Sequence, residues 1–167
     1  MADIIDLIYE DHDWFRKHFF YLDDASSEAE LAAIWEPLAT RLDTHAQAEE
    51  EIFYPVLLKE GEAGDPEEET DDAIDDHNKI RDAVREARRH KVGTPEWFEA
   101  VGAARTENGE HLDEEEREAL PDFIKSTTPE IRHELAMKWL IFYAEHQAGH
   151  NVDDSDKDPD TYIKENS

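Results

Sequence analysis

Histidine and glutamate recur in this chain at a spacing suited to binding metal ions. A histidine followed four residues later by two consecutive glutamates occurs twice, at His45–Glu50 and at His111–Glu116. A lone histidine beside an aspartate precedes each copy, His12 in the first half and His77 in the second. The second set repeats the order and, within one residue, the spacing of the first, which predicts a duplicated two-helix unit. Imidazole nitrogens and carboxylate oxygens together are typical ligands of first-row transition metals.

Helix geometry explains the four-residue spacing. Residues i and i+4 of an α-helix lie on the same face, so each histidine and the glutamate after it can direct one nitrogen and one oxygen at a single point. Apolar residues recur every three or four positions around them, which predicts that this face is buried. A buried carboxylate costs several kcal/mol unless it is paired or binds a metal. The candidate ligands are His12, His45, Glu49, His77, His111 and Glu115.

The number of donor atoms favours a pair of redox-active ions, iron or manganese, over a closed structural zinc site. If Glu49 and Glu115 both bridge, the two ions share the nitrogens of all the candidate histidines and both oxygens of each carboxylate. An oxo or hydroxo bridge between the ions would then leave roughly one open position on each octahedral ion. Dioxygen, nitric oxide or peroxide could bind there. Manganese and zinc are the alternative metals.

These motifs resemble the hemerythrin-like (HHE cation-binding) domain family, and the resemblance covers nearly all of residues 1–126. It implies an all-α fold, a left-handed up-down-up-down four-helix bundle that holds a carboxylate-bridged non-haem di-iron centre. Oxygen carriers of that family have a further histidine one turn before the third-helix histidine, where this chain has Ala73. This difference argues against reversible oxygen storage. The family also uses a carboxylate five residues after the fourth-helix histidine, so Glu116 is an alternative to Glu115.

The composition limits the classes of partner. The chain has no cysteine, which excludes disulfides and thiolate metal sites. Its 45 acidic and 17 basic residues give a net charge of −28, which argues against binding to nucleic acid or an anionic membrane. Because salt at about 1 M shortens the Debye length to roughly 3 Å, we interpret this charge as adaptation to the saline cytoplasm of a halophile. The sequence shows no export signal or long apolar run, which predicts a cytoplasmic protein.

Capping residues and proline positions predict how the chain is divided. Residues 1–126 are expected to form the bundle, with kinks at Pro55 and Pro121. Residues 127–149 are expected to form a fifth helix that packs on the bundle or at a dimer interface. Because it is apolar around most of its circumference, its outer side is expected to meet a second subunit, in a possible homodimer, or another part of the chain. Residues 150–167 read as an acidic flexible tail. The predicted helices are 3–24, 28–59, 67–91, 95–125 and 129–148.

The sequence is compatible with two main hypotheses about function. The first is a di-iron protein that binds a small diatomic ligand or peroxide as a sensor, scavenger or iron handler, rather than a dedicated enzyme. The second is an interaction module in which the metal pair is structural and the fifth helix contacts a partner. A ferritin-type oxidase is a third hypothesis, ranked below both. That class uses Glu-x-x-His and more carboxylates than histidines, whereas this site is rich in histidine.

Overall fold

The computed structural model describes residues 1–167, and all of its regular elements are helices. A π-helical turn, Glu49–Phe53, joins α2 to α3 as one continuous rod, and α5 runs on into α6. With α1 and α4, these rods form a four-helix bundle, which confirms the predicted all-α class. The helices are α1 (Ile4–Asp24), α2 (Glu28–Ala48), α3 (Tyr54–Glu60), α4 (Pro66–Arg88), α5 (Pro95–Arg117), α6 (Ala119–Ser126), α7 (Pro129–Glu145) and α8 (Pro159–Asn166).

Polar side chains fix where the main helices begin. Each of these residues precedes the first helical position and accepts a hydrogen bond from a backbone N–H two or three residues further on. Such caps satisfy backbone donors that have no partner within the helix. Proline follows the cap in α4, α5 and α7, a position where its missing N–H is tolerated. The capping residues are Asp3, Ser27, Asp65, Thr94 and Thr128.

The second and fourth rods change geometry just before a proline. In the second rod the π-helical turn ends at Phe53, ahead of Pro55. In the fourth rod, Glu118 leaves helical geometry at φ −121° and ψ −72°, ahead of Pro121. Proline lacks an N–H and its ring clashes with the carbonyl four residues earlier. The irregularities therefore lie on the amino-terminal side of the two prolines rather than at them.

The candidate ligands lie between two apolar clusters in the bundle. Along α1, Ile8 belongs to one cluster and Phe15 to the other, and His12 lies between them. The same order holds along α4 for Ile74, His77 and Ile80. The apolar clusters close both ends of a polar layer, so the charged groups within it have little access to solvent.

The predicted flexible tail at 150–167 is wrong, because part of this segment is helical and packs on the bundle. Tyr162 of α8 is only 8% exposed and belongs to an apolar cluster. Asn78 of α4 donates to the Lys157 carbonyl at 2.6 Å, and the Lys157 N–H donates back to the Asn78 side chain at 2.9 Å. The acidic composition resembles that of disordered chains, but these long-range contacts give the segment a defined position.

Helix α7 packs across α1 and α2. Its inward side carries Leu135, Ala136, Trp139 and Phe142, all buried. Its outward side exposes Met137, Leu140 and Ile141. The expected packing on the bundle is therefore present, and the homodimer through the outward side stays a prediction. None of the helices combines the length and the apolar character needed to cross a membrane.

Candidate metal centre

The six candidate ligands come together in the polar layer, and none is more than 3% exposed. They fall into two groups whose ligand atoms lie within 4.8 Å of one another. Glu49 belongs to both groups. We call His12, His45, Glu49 and Glu115 the first position, and Glu49, His77 and His111 the second position.

The imidazole Nε2 atoms and the carboxylate oxygens face one another. In the first position, His12 Nε2 lies 3.1 Å from Glu115 Oε2 and His45 Nε2 lies 2.7 Å from Glu49 Oε1. In the second position, Glu49 Oε2 lies 3.1 Å from the Nε2 of His77 and 3.6 Å from that of His111. The two oxygens of Glu49 thus face different positions. This is the arrangement a bridging carboxylate requires.

The donor atoms of the first position fit a cation. His12 Nε2, His45 Nε2, Glu49 Oε1 and Glu115 Oε2 are buried, and none has a hydrogen-bond partner. His45 Nε2 and Glu49 Oε1 lie close together, but their relative orientation does not suit a hydrogen bond. Buried polar atoms without partners are rare because they lose hydration without compensation. A metal ion at their centre would satisfy all of them.

Each histidine turns its Nδ1 toward a second carboxylate. An Nδ1–H that donates to a carboxylate leaves the lone pair of the neutral ring on Nε2, aimed at the centre, and orients the ring. The fourth pair is longer than a hydrogen bond. The pairs are His12 with Glu116 (2.8 Å), His45 with Asp11 (2.9 Å), His77 with Glu50 (2.9 Å) and His111 with Asp76 (3.8 Å).

Arginines hold three of these outer carboxylates: the two glutamates and Asp11, to which Arg41 Nε donates at 3.1 Å. Arg16 donates to Glu116 at 2.8 Å, and Arg81 donates to Glu50 at 2.9 Å. Burial raises the pKa of both glutamates, but the neighbouring histidine and arginine outweigh it and lower each to about 2. Both carboxylates are therefore ionised at neutral pH. The sequence analysis missed these arginines. Arg16 and Arg81 each lie four residues after a candidate histidine, one in each half of the duplication.

Tyr54 is a further contact that the sequence analysis missed. Its buried hydroxyl donates to Glu115 Oε1 at 2.9 Å. The other oxygen of Glu115 faces His12 Nε2, whereas Glu116 contacts Nδ1 on the far side of the same ring. The geometry therefore favours Glu115 over Glu116 as the carboxylate directed at the centre.

A small cavity reaches the centre beside Ala73. Its volume is about 20 Å³, which is room for about one water-sized molecule. Its inner wall includes Tyr54, Ala73, His111 and Glu115, and acidic residues line the rest of it. The place where the resemblance expects a further histidine is thus occupied by a methyl group next to an open space. Besides Glu115, the acidic residues of the wall are Glu69, Asp72, Asp76, Glu114 and Glu118.

Metal uptake is expected to release protons near neutral pH. Burial lowers the pKa of His45, but the neighbouring carboxylates of Glu49 and Asp11 outweigh this effect and raise the pKa to about 10. The pKa values of His12 and His77 are also raised, because their carboxylate partners outweigh burial. The ring of His45 therefore holds a proton in the metal-free protein at neutral pH and must lose it to bind metal. Affinity should therefore rise with pH across the neutral range.

The release can be measured by adding metal to weakly buffered protein that contains a pH indicator. At pH 7 we expect at least one proton per chain, from His45. No release at pH 7, together with an affinity that does not change with pH, would contradict the protonation of this histidine.

Comparison with known proteins agrees with this geometry. The model of the hemerythrin HHE cation-binding domain matches residues 3–123, a range that contains all six candidate ligands. No curated protein and no solved structure matches the chain. Helices α7 and α8 lie beyond the matched range. The matched range covers well over half of the sequence, and the chain belongs to the hemerythrin HHE cation-binding domain family.

Proposed function

We propose that the protein holds a pair of iron ions and binds dioxygen, nitric oxide or peroxide there, as a sensor, scavenger or iron handler. The observation that carries this proposal is the set of four buried donor atoms without partners, next to a cavity that reaches the same centre. A centre that only stabilised the fold would need no such opening. The alternative is an interaction module with a structural metal pair.

The two positions would play unequal parts. The first groups four residues and the second three, and the cavity is lined by His111 of the second position and Glu115 of the first. We infer that an external ligand binds at the second position, because the chain supplies fewer ligands there. When bound, the ions would supply the redox chemistry, and the chain supplies the binding geometry. Tyr54, on the cavity wall, holds Glu115 in place through its hydroxyl group.

The charge around the cavity favours particular entrants. Six acidic residues, Glu115 among them, line its wall, and clefts of one charge repel ions of the same sign and concentrate those of the opposite sign. Neutral molecules such as dioxygen, nitric oxide and hydrogen peroxide can enter without this repulsion. Ferrous ions are attracted, so the same route suits loading of the centre with metal.

Metal analysis combined with absorption spectra tests the proposal. Protein purified without oxygen and in high salt should contain two iron ions per chain. Exposure to air should oxidise the centre and produce near-ultraviolet absorption, because charge transfer to ferric iron absorbs there. A colourless protein with tightly bound zinc and no response to air would favour the interaction module instead.

Replacement of Ala73 by His tests the role of the open space. Ala73 lies one turn before His77 on α4 and lines the cavity with His111. An imidazole at this place would share the helix face with His77. We expect Ala73→His to change the absorption spectrum, slow the binding of nitric oxide and slow oxidation by air.

Ala83→His provides the matched control, because Ala83 lies on the same helix in the apolar cluster away from the cavity. An Ala73→His protein that keeps its parent's spectrum and oxidation rate would show that position 73 does not face the centre.

A further inference from the structure

The segment 150–167, which we call the C-terminal strap, lies outside the matched family range and yet contacts Glu50, the neighbour of the shared candidate ligand Glu49. Its contacts converge on Glu50. This residue accepts the Nδ1–H of His77 at 2.9 Å and so orients a candidate ligand of the second position. The strap therefore reaches the centre through one carboxylate.

The strap holds the side chain of Glu50. Lys157 Nζ lies 3.0 Å from Glu50 Oε2, and Arg81 contacts the same carboxylate. The Glu50 side chain is 2% exposed and that of Lys157 is 23% exposed. An ion pair that is largely buried is little screened by salt, and the loss of one partner leaves a buried charge without compensation. Lys157 is thus a firm support for Glu50.

The strap also holds the backbone of Glu50. The Tyr162 hydroxyl donates to the Glu50 carbonyl. This carbonyl lies in the π-helical turn, where the Tyr54 N–H is donated to Glu49 and the next residue, Pro55, has no N–H. A carbonyl left free by the turn and the proline needs a donor from elsewhere. Tyr162 supplies it.

Other contacts fasten the strap to α4. Asn78, the residue after His77, exchanges two hydrogen bonds with the backbone of Lys157. Arg85 donates to the Asp154 carbonyl at 2.8 Å and to the Asp156 carboxylate at 2.6 Å. The strap thus links α4, which carries His77, with the π-helical turn, which carries Glu50.

The other half of the duplication has no such support. Glu116, the counterpart of Glu50, contacts Arg16 and His12, and its side chain is 23% exposed. No residue of the strap contacts it. Of the two outer glutamates, the strap therefore contacts only Glu50, which orients His77 of the second position.

We propose that the C-terminal strap is a positioning element for the second metal position, in which Lys157 and Tyr162 hold Glu50, and Glu50 holds the ring of His77. The inference rests on the proposed pair of metal positions but not on the identity of the metal. Outer-sphere partners of this kind change metal affinity by about 10–100-fold. The strap should therefore make the two positions unequal in affinity.

Cobalt(II) titration of the full chain in high salt tests this. The variants are Lys157→Met, Tyr162→Phe and the two combined, with Lys157→Arg as the conservative replacement. We expect the combined variant to bind one of two cobalt ions about 10–100-fold more weakly and the other as the parent does. Lys157→Arg should bind both ions nearly as the parent does. Arg16→Met, the matched change in the other half, should weaken the other ion.

Paramagnetic NMR of the cobalt protein shows which position has changed. The ring N–H signals of bound histidines are strongly shifted, and His77→Ala identifies the His77 signal by its loss. The strap variants should move the His77 signal and leave that of His12 unchanged. Arg16→Met should move the His12 signal. A role in folding alone would not produce this selectivity.

Three results would overturn the inference. The first is an equal loss of affinity for both ions, which would show that the strap only stabilises the fold. The second is unchanged affinities and signals in every strap variant. If the parent binds two ions in either case, the proposed metal pair stands and only the inference fails. The third is a parent that binds no pair of ions, which overturns both. Circular dichroism of each variant checks that it is folded.

Discussion

Replacement of Glu49 by Gln is expected to remove both metal ions. Glu49 is the residue shared by the two positions, and each of its oxygens faces a different one. An amide keeps the shape of the side chain but loses the negative charge that the ions require, and it leaves Glu115 as the one inner carboxylate. We expect affinity to fall by more than the roughly 100-fold that loss of an outer contact costs. Metal analysis after dialysis measures this directly.

The matched control for this change is Glu51→Gln, an exposed position on the same π-helical turn. It removes the same charge two residues away and should leave both ions bound. Circular dichroism should show helical protein for both variants in high salt. Retention of two ions by Glu49→Gln would contradict the assignment of Glu49 as a shared ligand.

Stability is expected to fall steeply as salt is removed. The formal charge of −28 repels itself over a Debye length that grows from roughly 3 Å at 1 M salt to roughly 30 Å at 0.01 M. Self-repulsion of this size opposes the compact state. The thermal midpoint, followed by circular dichroism, should decrease continuously from molar salt to tens of millimolar.

Metal-loaded protein should lose less stability over the same range. Ions that bind only the native state add to its stability by mass action, and they also neutralise buried carboxylates. Comparison of loaded and metal-free protein at each salt concentration separates this contribution from screening. A midpoint that stays flat for metal-free protein would remove the halophilic interpretation of the acidic surface and reopen the question of an acidic partner surface.

Much of the bundle and the grouping of the candidate ligands could be predicted from sequence. The capping residues and the prolines after them give the helix starts, because their preferences are local. The four-residue spacing of His45 and Glu49 places both side chains on one face whatever the fold around them. The duplication then predicts that His12 and His77 occupy equivalent positions in the two halves of the bundle. These features need no knowledge of distant contacts.

The remaining features depend on residues far apart in the chain. Lys157 and Asn78 meet across a long sequence separation, and the acidic residues around Lys157 have the composition of a disordered segment. The π-helical turn before Pro55 could not be distinguished from a simple proline kink, because both accommodate the absence of an N–H at the proline. The hydroxyl of Tyr54 finds Glu115 only once the second and fourth rods are packed together.

The way the two halves of the duplication exchange ligands has a consequence for how such a chain can arise. His12 and His45 of the first half are completed by Glu115 of the second, and His77 and His111 of the second half by Glu49 of the first. A single two-helix unit would complete neither position and would have to associate with another copy across a two-fold axis. Joining the units in one chain makes that association intramolecular, at a high effective concentration. It also frees each half to change alone.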